Sequence, residues 1–249
     1  MPEKPTHFGY QDVSSEEKTE KVGAVFDSVA SKYDIMNDVM SLGAHRAWKR
    51  YFVHTASIRP QHQVLDVAAG PGDIAALLAP KLNANGAIFV CDPNAAMLEH
   101  GHQRLTDRGL LKNIYYVQAR AEALPFSENN FDRVTLAFGL RNFTDKDQAL
   151  RSIFKLIKPG GRLSVLEFSK PKKWMSSIYD TYSFKLLPRM GKIIAKDSES
   201  YQYLAESIRK HPGQETLQLM LEAAGFEQCD FLNLSGGIVS IHRGHKLTA

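Results

Sequence analysis

The sequence predicts an α/β fold: a doubly wound, mostly parallel sheet of seven strands with the last strand antiparallel. Apolar strand-like runs alternate with amphipathic helical stretches from Gln63 to Phe168, the rhythm of βαβ units. The first of these runs leads into Gly70-Pro71-Gly72, a tight turn that opens a helix. The chain then ends on two strand-like runs around Ser235-Gly236-Gly237, a hairpin that reverses the final strand.

At 249 residues, 43% hydrophobic and 23% charged, the chain is ordinary for a soluble globular protein and reads as one domain with attachments. A net charge of +4 permits an anionic partner without selecting one. Cys91 and Cys229 are too few for a disulfide scaffold and fit a reducing cytosol. No apolar run reaches the roughly 18–20 residues that span a bilayer, and Met-Pro-Glu-Lys-Pro is not the start of a signal peptide. The expected location is the cytoplasm.

Residues 1–13 read as a polar arm containing Thr6-His7-Phe8-Gly9. Ser14-Ser15-Glu16-Glu17 has the capping-box form and opens a helix toward Ala30, with Val22, Val25, Phe26 and Val29 as its apolar stripe. Two short helices follow, split near Ser41–Gly43, so residues 1–62 form a helical attachment or lid. The core spans 63–168, with strands over about 63–68, 87–92, 114–118, 132–137 and 162–168. Its helices run over about 72–82, through Met97, Leu98 and Leu105, and from Thr144-Asp145 past Ile153, the last ended by Pro159-Gly160-Gly161. Residues 169–212 read as a helical insertion. Residues 213–249 read as a closing helix stopped by Gly225 and the hairpin strands Phe226–Leu234 and Gly237–Arg243.

The glycine turn is ambiguous by itself. Gly70, Gly72 and Ala75 satisfy a dinucleotide fingerprint, which admits a nicotinamide enzyme as well as a plain tight turn. Glycine lets the backbone approach a ligand, and the next helix offers unpaired N–H groups. Asp92 ends the second strand, followed by Pro93. A carboxylate there accepts from both ribose hydroxyls of a nucleoside, or else caps the next helix.

The flanks narrow the choice. Ala119-Arg120-Ala121-Glu122-Ala123-Leu124-Pro125-Phe126 resembles the adenine-bordering loop of class I methyltransferases, and Ile157-Lys158-Pro159-Gly160-Gly161-Arg162-Leu163 resembles their later turn. That resemblance implies a Rossmann-like sheet and S-adenosyl-L-methionine as cofactor. The segments 33–41, His45-Arg46, Trp48-Lys49, Phe138-Gly139-Leu140-Arg141-Asn142, 166–171, 6–9 and 203–208 are similar, jointly and along essentially the whole chain, to signatures of the ubiquinone/menaquinone biosynthesis C-methyltransferase family.

The resemblance implies methylation of a ring carbon on a polyprenylated quinol, either 2-polyprenyl-6-methoxy-1,4-benzoquinol or demethylmenaquinol. It implies cofactor contacts at Asp66, Gly70, Pro71, Gly72, Asp92, Pro93, Met97, Arg120, Ala121 and Ala137. The nine histidines are dispersed, and His100 and His102 would point apart on a helix, so no metal is expected. Ala69, Pro71 and Ala137 depart from the family's usual glycine, threonine and serine, so the grip is expected from backbone and Asp92. Arg141 is expected to stabilise a developing phenolate, with Asn142 and Tyr33 hydrogen-bonding the ring oxygens. The alternatives are a surface ion pair of Arg141 with Asp145 or Asp147, and a packing role for Tyr33.

Ala137-Phe138-Gly139-Leu140 stands where methylases of exocyclic amines carry Asx-Pro-Pro-aromatic, and no cysteine nucleophile is near. Between 170 and 196, Lys170, Lys172, Lys173, Lys185, Arg189, Lys192 and Lys196 interleave with Trp174, Met175, Tyr179 and Phe184. This cap is expected to meet the prenyl tail and touch an anionic membrane surface, or to be an amphipathic helix with a solvated basic face. The competing functions are another small-molecule or RNA methyltransferase and a cofactor-binding protein without activity; nucleic acid is not an expected partner. The partners this reading admits are the quinol, other quinone-biosynthesis enzymes and a second copy of the chain in a homodimer.

Overall fold

The computed structural model describes residues 6–29, 33–175 and 198–247, apart from the side chains of residues 33 and 198. Where a polar arm was expected, a small antiparallel hairpin stands, β1 (Thr6–Phe8) and β2 (Gln11–Val13), turning at Gly9. Distant contacts hold it. Phe8 stacks on Tyr203 with ring centroids 4.1 Å apart, and the Tyr10 N–H donates to Glu206 Oε2 at 3.1 Å.

Helix α1 (Ser15–Val29) begins on the expected capping box. The Glu17 N–H donates to Ser14 Oγ at 3.1 Å, and the Ser14 N–H donates to Glu17 Oε2 at 2.9 Å. Helices α2 (Tyr33–Ser41) and α3 (Ala44–Thr55) are divided by left-handed backbone at Leu42 and Gly43, φ 50° and 76°.

The main sheet contains β3 (Gln63–Val67), β4 (Ala87–Asp92), β5 (Ile114–Gln118), β6 (Phe131–Ala137), β7 (Ile157–Phe168), β8 (Glu227–Leu234) and β9 (Val239–Lys246). Its order is β5-β4-β3-β6-β7-β9-β8. The first five strands run parallel, and β9 inserts antiparallel between β7 and β8, as the closing hairpin predicted. Val64, Leu65, Val67, Ile88 and Val90 are buried, as expected of central parallel strands covered on both faces. The covering helices are α4 (Asp73–Leu78), α5 (Ala95–Asp107), α6 (Lys146–Leu156), α7 (Ser198–Lys210) and α8 (Gln214–Ala223).

Several boundaries differ from the sequence reading; the hairpin's last strand runs Val239–Lys246 rather than Gly237–Arg243, and two others have a clear local cause. Helix α4 stops at Leu78 and passes into a 3₁₀ turn over Ala79–Lys81, because Pro80 has no N–H to continue an α-helix. β7 starts at Ile157 rather than 162: Ile157 pairs with Phe131, and the far end of β9 supplies Lys246 opposite Gly161. Of the insertion, residues 173–175 and α7 are helical. The basic residues Lys185, Arg189, Lys192 and Lys196 lie outside the described residues.

The chain leaves β3 toward β4 on one side and returns to β6 on the other, so a crevice opens between the carboxyl ends of β3 and β6. Open α/β sheets bind ligands at such a reversal.

Candidate active site

A cavity of about 560 Å³ fills that crevice, a size suited to a nucleoside plus a small second group. Its floor is the backbone after β3 and β6, where Ala68 (φ 50°), Gly70 (φ 54°) and Phe138 (φ 57°) are left-handed. Two non-glycine residues in that region mark local strain, which clusters at functional sites. The strand ends touch: a Cβ on Gly139 would stand 2.5 Å from the Ala68 Cβ.

Asp92 occupies the wall at the end of β4. Its Oδ2 accepts from the Gly70 N–H at 2.8 Å and its Oδ1 from the Asn94 N–H at 2.9 Å, tying the glycine turn to the next loop. Each oxygen keeps a further lone pair. Burial pushes its pKa up to about 6, against the pull of these two bonds. The cap of α5 is Asn94, whose Oδ1 accepts from the Met97 N–H at 2.9 Å, so the capping alternative for Asp92 falls away.

One face of α1 roofs the cavity with Thr19, Val22, Gly23, Phe26 and Asp27. Hydrogen bonds hold the roof down, two of them short. Asn94 Nδ2 donates to Asp27 Oδ1 at 2.7 Å, and Lys18 Nζ donates to the Phe143 carbonyl at 2.8 Å. Burial pulls the Lys18 pKa down to about 7, with the Lys146 charge adding to the shift.

The structure brings Gly70, Asp92, Pro93, Met97, Arg120, Ala121 and Asn142 to the cavity. Five other expected residues stand elsewhere. Asp66 is fully buried within β3 and accepts from Thr135 Oγ1 at 2.7 Å, while its Oδ2 has no hydrogen-bond partner; burial pushes its pKa up to about 7. Pro71 and Gly72 face α5, where a Cβ on Gly101 would lie 3.1 Å from the Pro71 carbonyl carbon and one on Gly72 would meet Leu105. Ala137 packs against the core at the end of β6.

Arg141 stands behind the cavity wall. Its Nη1 donates to Glu167 Oε1 at 2.8 Å and to the Phe138 carbonyl, and its N–H donates to Glu167 Oε2 at 3.2 Å. A fully buried carboxylate requires such a partner, and Glu167 draws the guanidinium inward. Asp145 is engaged instead in capping α6, accepting from the Gln148 N–H at 2.8 Å. Tyr33 opens α2, but its side chain lies outside the described residues.

Sequence reasoning missed Ala68, Asn94, Phe138 and the α1 roof. Left-handed backbone at alanine or phenylalanine has no sequence signature. A glycine at mid-helix was the available clue for the roof: Gly23 leaves open space where a side chain would stand. Among the described residues, no group of three or more His, Cys, Asp or Glu side chains is placed to hold a metal ion, and no helix is long and apolar enough to cross a membrane.

The family model of the ubiE/COQ5 methyltransferases matches residues 14–246, which takes in the roof, the sheet and the closing hairpin. The chain belongs to the ubiE/COQ5 methyltransferase family. It is 58% identical over 243 residues to the ubiquinone/menaquinone biosynthesis C-methyltransferase UbiE of Stenotrophomonas maltophilia (strain K279a), covering 97% of this chain and 96% of that one. It is 56% identical over 244 residues to the UbiE of Shewanella sp. (strain ANA-3), covering 98% and 97%. Its fold is similar to that of the cyclase SpnF, with a TM-score of 0.68 at 17% identity over 92% of this chain and 96% of that one. For a ubiE/COQ5 member, the cavity between Asp92 and Asn142 is the candidate methyl-transfer site.

Proposed function

We propose that this chain is an S-adenosyl-L-methionine-dependent C-methyltransferase acting on a ring carbon of a polyprenylated quinol, 2-polyprenyl-6-methoxy-1,4-benzoquinol or demethylmenaquinol. The observation that carries the reading is one cavity holding a nucleoside-type carboxylate, Asp92, and a polar amide, Asn142, in a chain of the ubiE/COQ5 family. Relatives that match nearly end to end are named for ubiquinone/menaquinone biosynthesis and for C-methyl transfer, and the family resemblance of the sequence supplies the quinol.

The residues present fit the cofactor. Asp92 offers its spare lone pairs to ribose hydroxyls, and the left-handed turn at Ala68 and Gly70 brings bare backbone to the ligand. Pro93, Met97 and Ala121 supply apolar and backbone edges for a purine, with Arg120 placed to stack on it. When bound, the cofactor supplies an electrophilic methyl group on a sulfonium.

The chain's own residues do the rest. Val22 and Phe26 close the roof and exclude water, and Phe138 and Phe143 offer flat apolar walls to the quinol ring. A quinol that loses its hydroxyl proton gains electron density at the adjacent ring carbon, so no covalent nucleophile is needed. Asn142 hydrogen-bonds the ring oxygen, and Tyr33 is assigned to a second oxygen. Arg141, bound to Glu167 and the Phe138 carbonyl, shapes the wall from behind. The cap contributes an exposed Trp174, 68% accessible, toward the prenyl tail and the membrane surface.

Methyl transfer from labelled cofactor to demethylmenaquinol and to the demethylated ubiquinol precursor tests the reading. Turnover of either is expected; cofactor binding without methylation of either quinol would sink it.

A further inference from the structure

We propose that Tyr203 is a positioning residue for the ring-oxygen contact, an inference that rests on the quinol-methylation reading. Its hydroxyl lies 2.9 Å from Asn142 Oδ1, reaching from α7 into the turn that borders the cavity. Tyr203 is buried, and burial holds its phenol protonated against the pull of the Arg141 charge, with Glu167 adding to the effect of burial. It therefore meets Asn142 as a donor, and the amide oxygen is the group that accepts. The opposite amide orientation would set Nδ2 against the phenol and leave a buried hydroxyl proton without an acceptor.

With its oxygen pinned, Asn142 presents Nδ2 to the cavity. A fixed donor there selects an acceptor on the ring, and it bonds a phenolate more strongly than a phenol. The support for Tyr203 comes from the far N-terminus. Phe8 stacks on its ring at an interplanar angle of 11°, and Glu206, three residues along α7, accepts from the Tyr10 N–H. The β1–β2 hairpin thus steadies a contact at the reacting oxygen through Tyr203.

Tyr203→Phe keeps the stacked ring and removes only the hydroxyl. The variant is expected to keep its cofactor affinity and quinol KM, while kcat falls about tenfold, the effect of one lost hydrogen bond near a charged group. The acid limb of its kcat–pH profile moves to higher pH, because a less stabilised phenolate has a higher pKa. Asn142→Ala gives the same shift, and adding Tyr203→Phe to it changes nothing further. Independently of turnover, the side-chain amide NMR signal assigned to Asn142 shifts in cofactor-bound Tyr203→Phe. Additive losses in the double variant, an unmoved acid limb, or an unmoved amide signal would each overturn the assignment of Tyr203 alone. A wild-type enzyme that methylates neither quinol overturns both the reading and this inference.

Discussion

Asp92 joins two structural loads to one ligand contact, and its protonation links them. Burial raises its pKa from the ordinary 3.8 to about 6. In the ligand-free protein the folded state therefore holds a proton that the unfolded chain has released between those values. That contribution to stability is full below 3.8 and is lost as pH rises through about 6. Ribose binding runs the other way, since the ionised carboxylate is the better acceptor. Cofactor affinity is expected to fall by up to about tenfold per unit as pH drops below 6. Asp92→Asn should weaken binding roughly 10- to 100-fold and remove that step, which titration calorimetry between pH 5 and 8 would measure. A step persisting in the variant would belong to another group of that pH range, Lys18 in the roof or Asp66 in β3, and would defeat the assignment. Gly139→Ala probes the floor: its new Cβ meets the Ala68 Cβ at 2.5 Å, between two strand ends that cannot part. A loss of about 1–3 kcal/mol in chemical denaturation is expected, and an unchanged midpoint would contradict the close approach. Spacing from Gly70 exposed Asp92 in the sequence, because a βαβ unit fixes that separation. The Arg141–Glu167 pair was hidden, because it forms through folding between the turn after β6 and the end of β7 and leaves no local pattern.

At the scale of elements, α1 is the piece that turns an open crevice into a cavity. Its capping box was legible because the chemistry is local, with both hydrogen bonds running between residues three apart. Its roofing role was not, since Val22 and Phe26 give the same apolar stripe whether they cover a core or a ligand. The β1–β2 hairpin escaped for a related reason: strands of three residues gain their order from Tyr203 and Glu206. Ser14→Ala removes one half of the capping box and should cost about 1 kcal/mol locally. Hydrogen exchange should quicken in the first turn of α1 while β3 and β4 keep their protection. Because a frayed roof must reorder on binding, cofactor affinity should drop a few-fold. Unchanged exchange in that turn would show that the Lys18–Phe143 and Asn94–Asp27 ties hold α1 without its cap.

For the molecule as a whole, the sheet order was the most legible feature, because it follows from alternation, chain reversal and one hairpin. Where the ligand sits follows from that order, but which ligand it is does not follow from order alone. The glycine turn and Asp92 suit either a nicotinamide dinucleotide or S-adenosyl-L-methionine. The antiparallel β9 between β7 and β8, together with the family match, decides for the methyl donor. Binding that favours the folded state must raise thermal stability. At a hundred times its Kd a ligand adds about 2.7 kcal/mol, and a chain of this length gains roughly 2–4 °C per kcal/mol. Saturating S-adenosyl-L-methionine should therefore raise the melting temperature by roughly 5–11 °C, and NADH at the same concentration should leave it unmoved. Asp92→Asn should shrink the rise, since the ribose contact carries part of the affinity. A rise with NADH and none with the methyl donor would return the glycine turn to the dinucleotide reading, whatever the order of the strands.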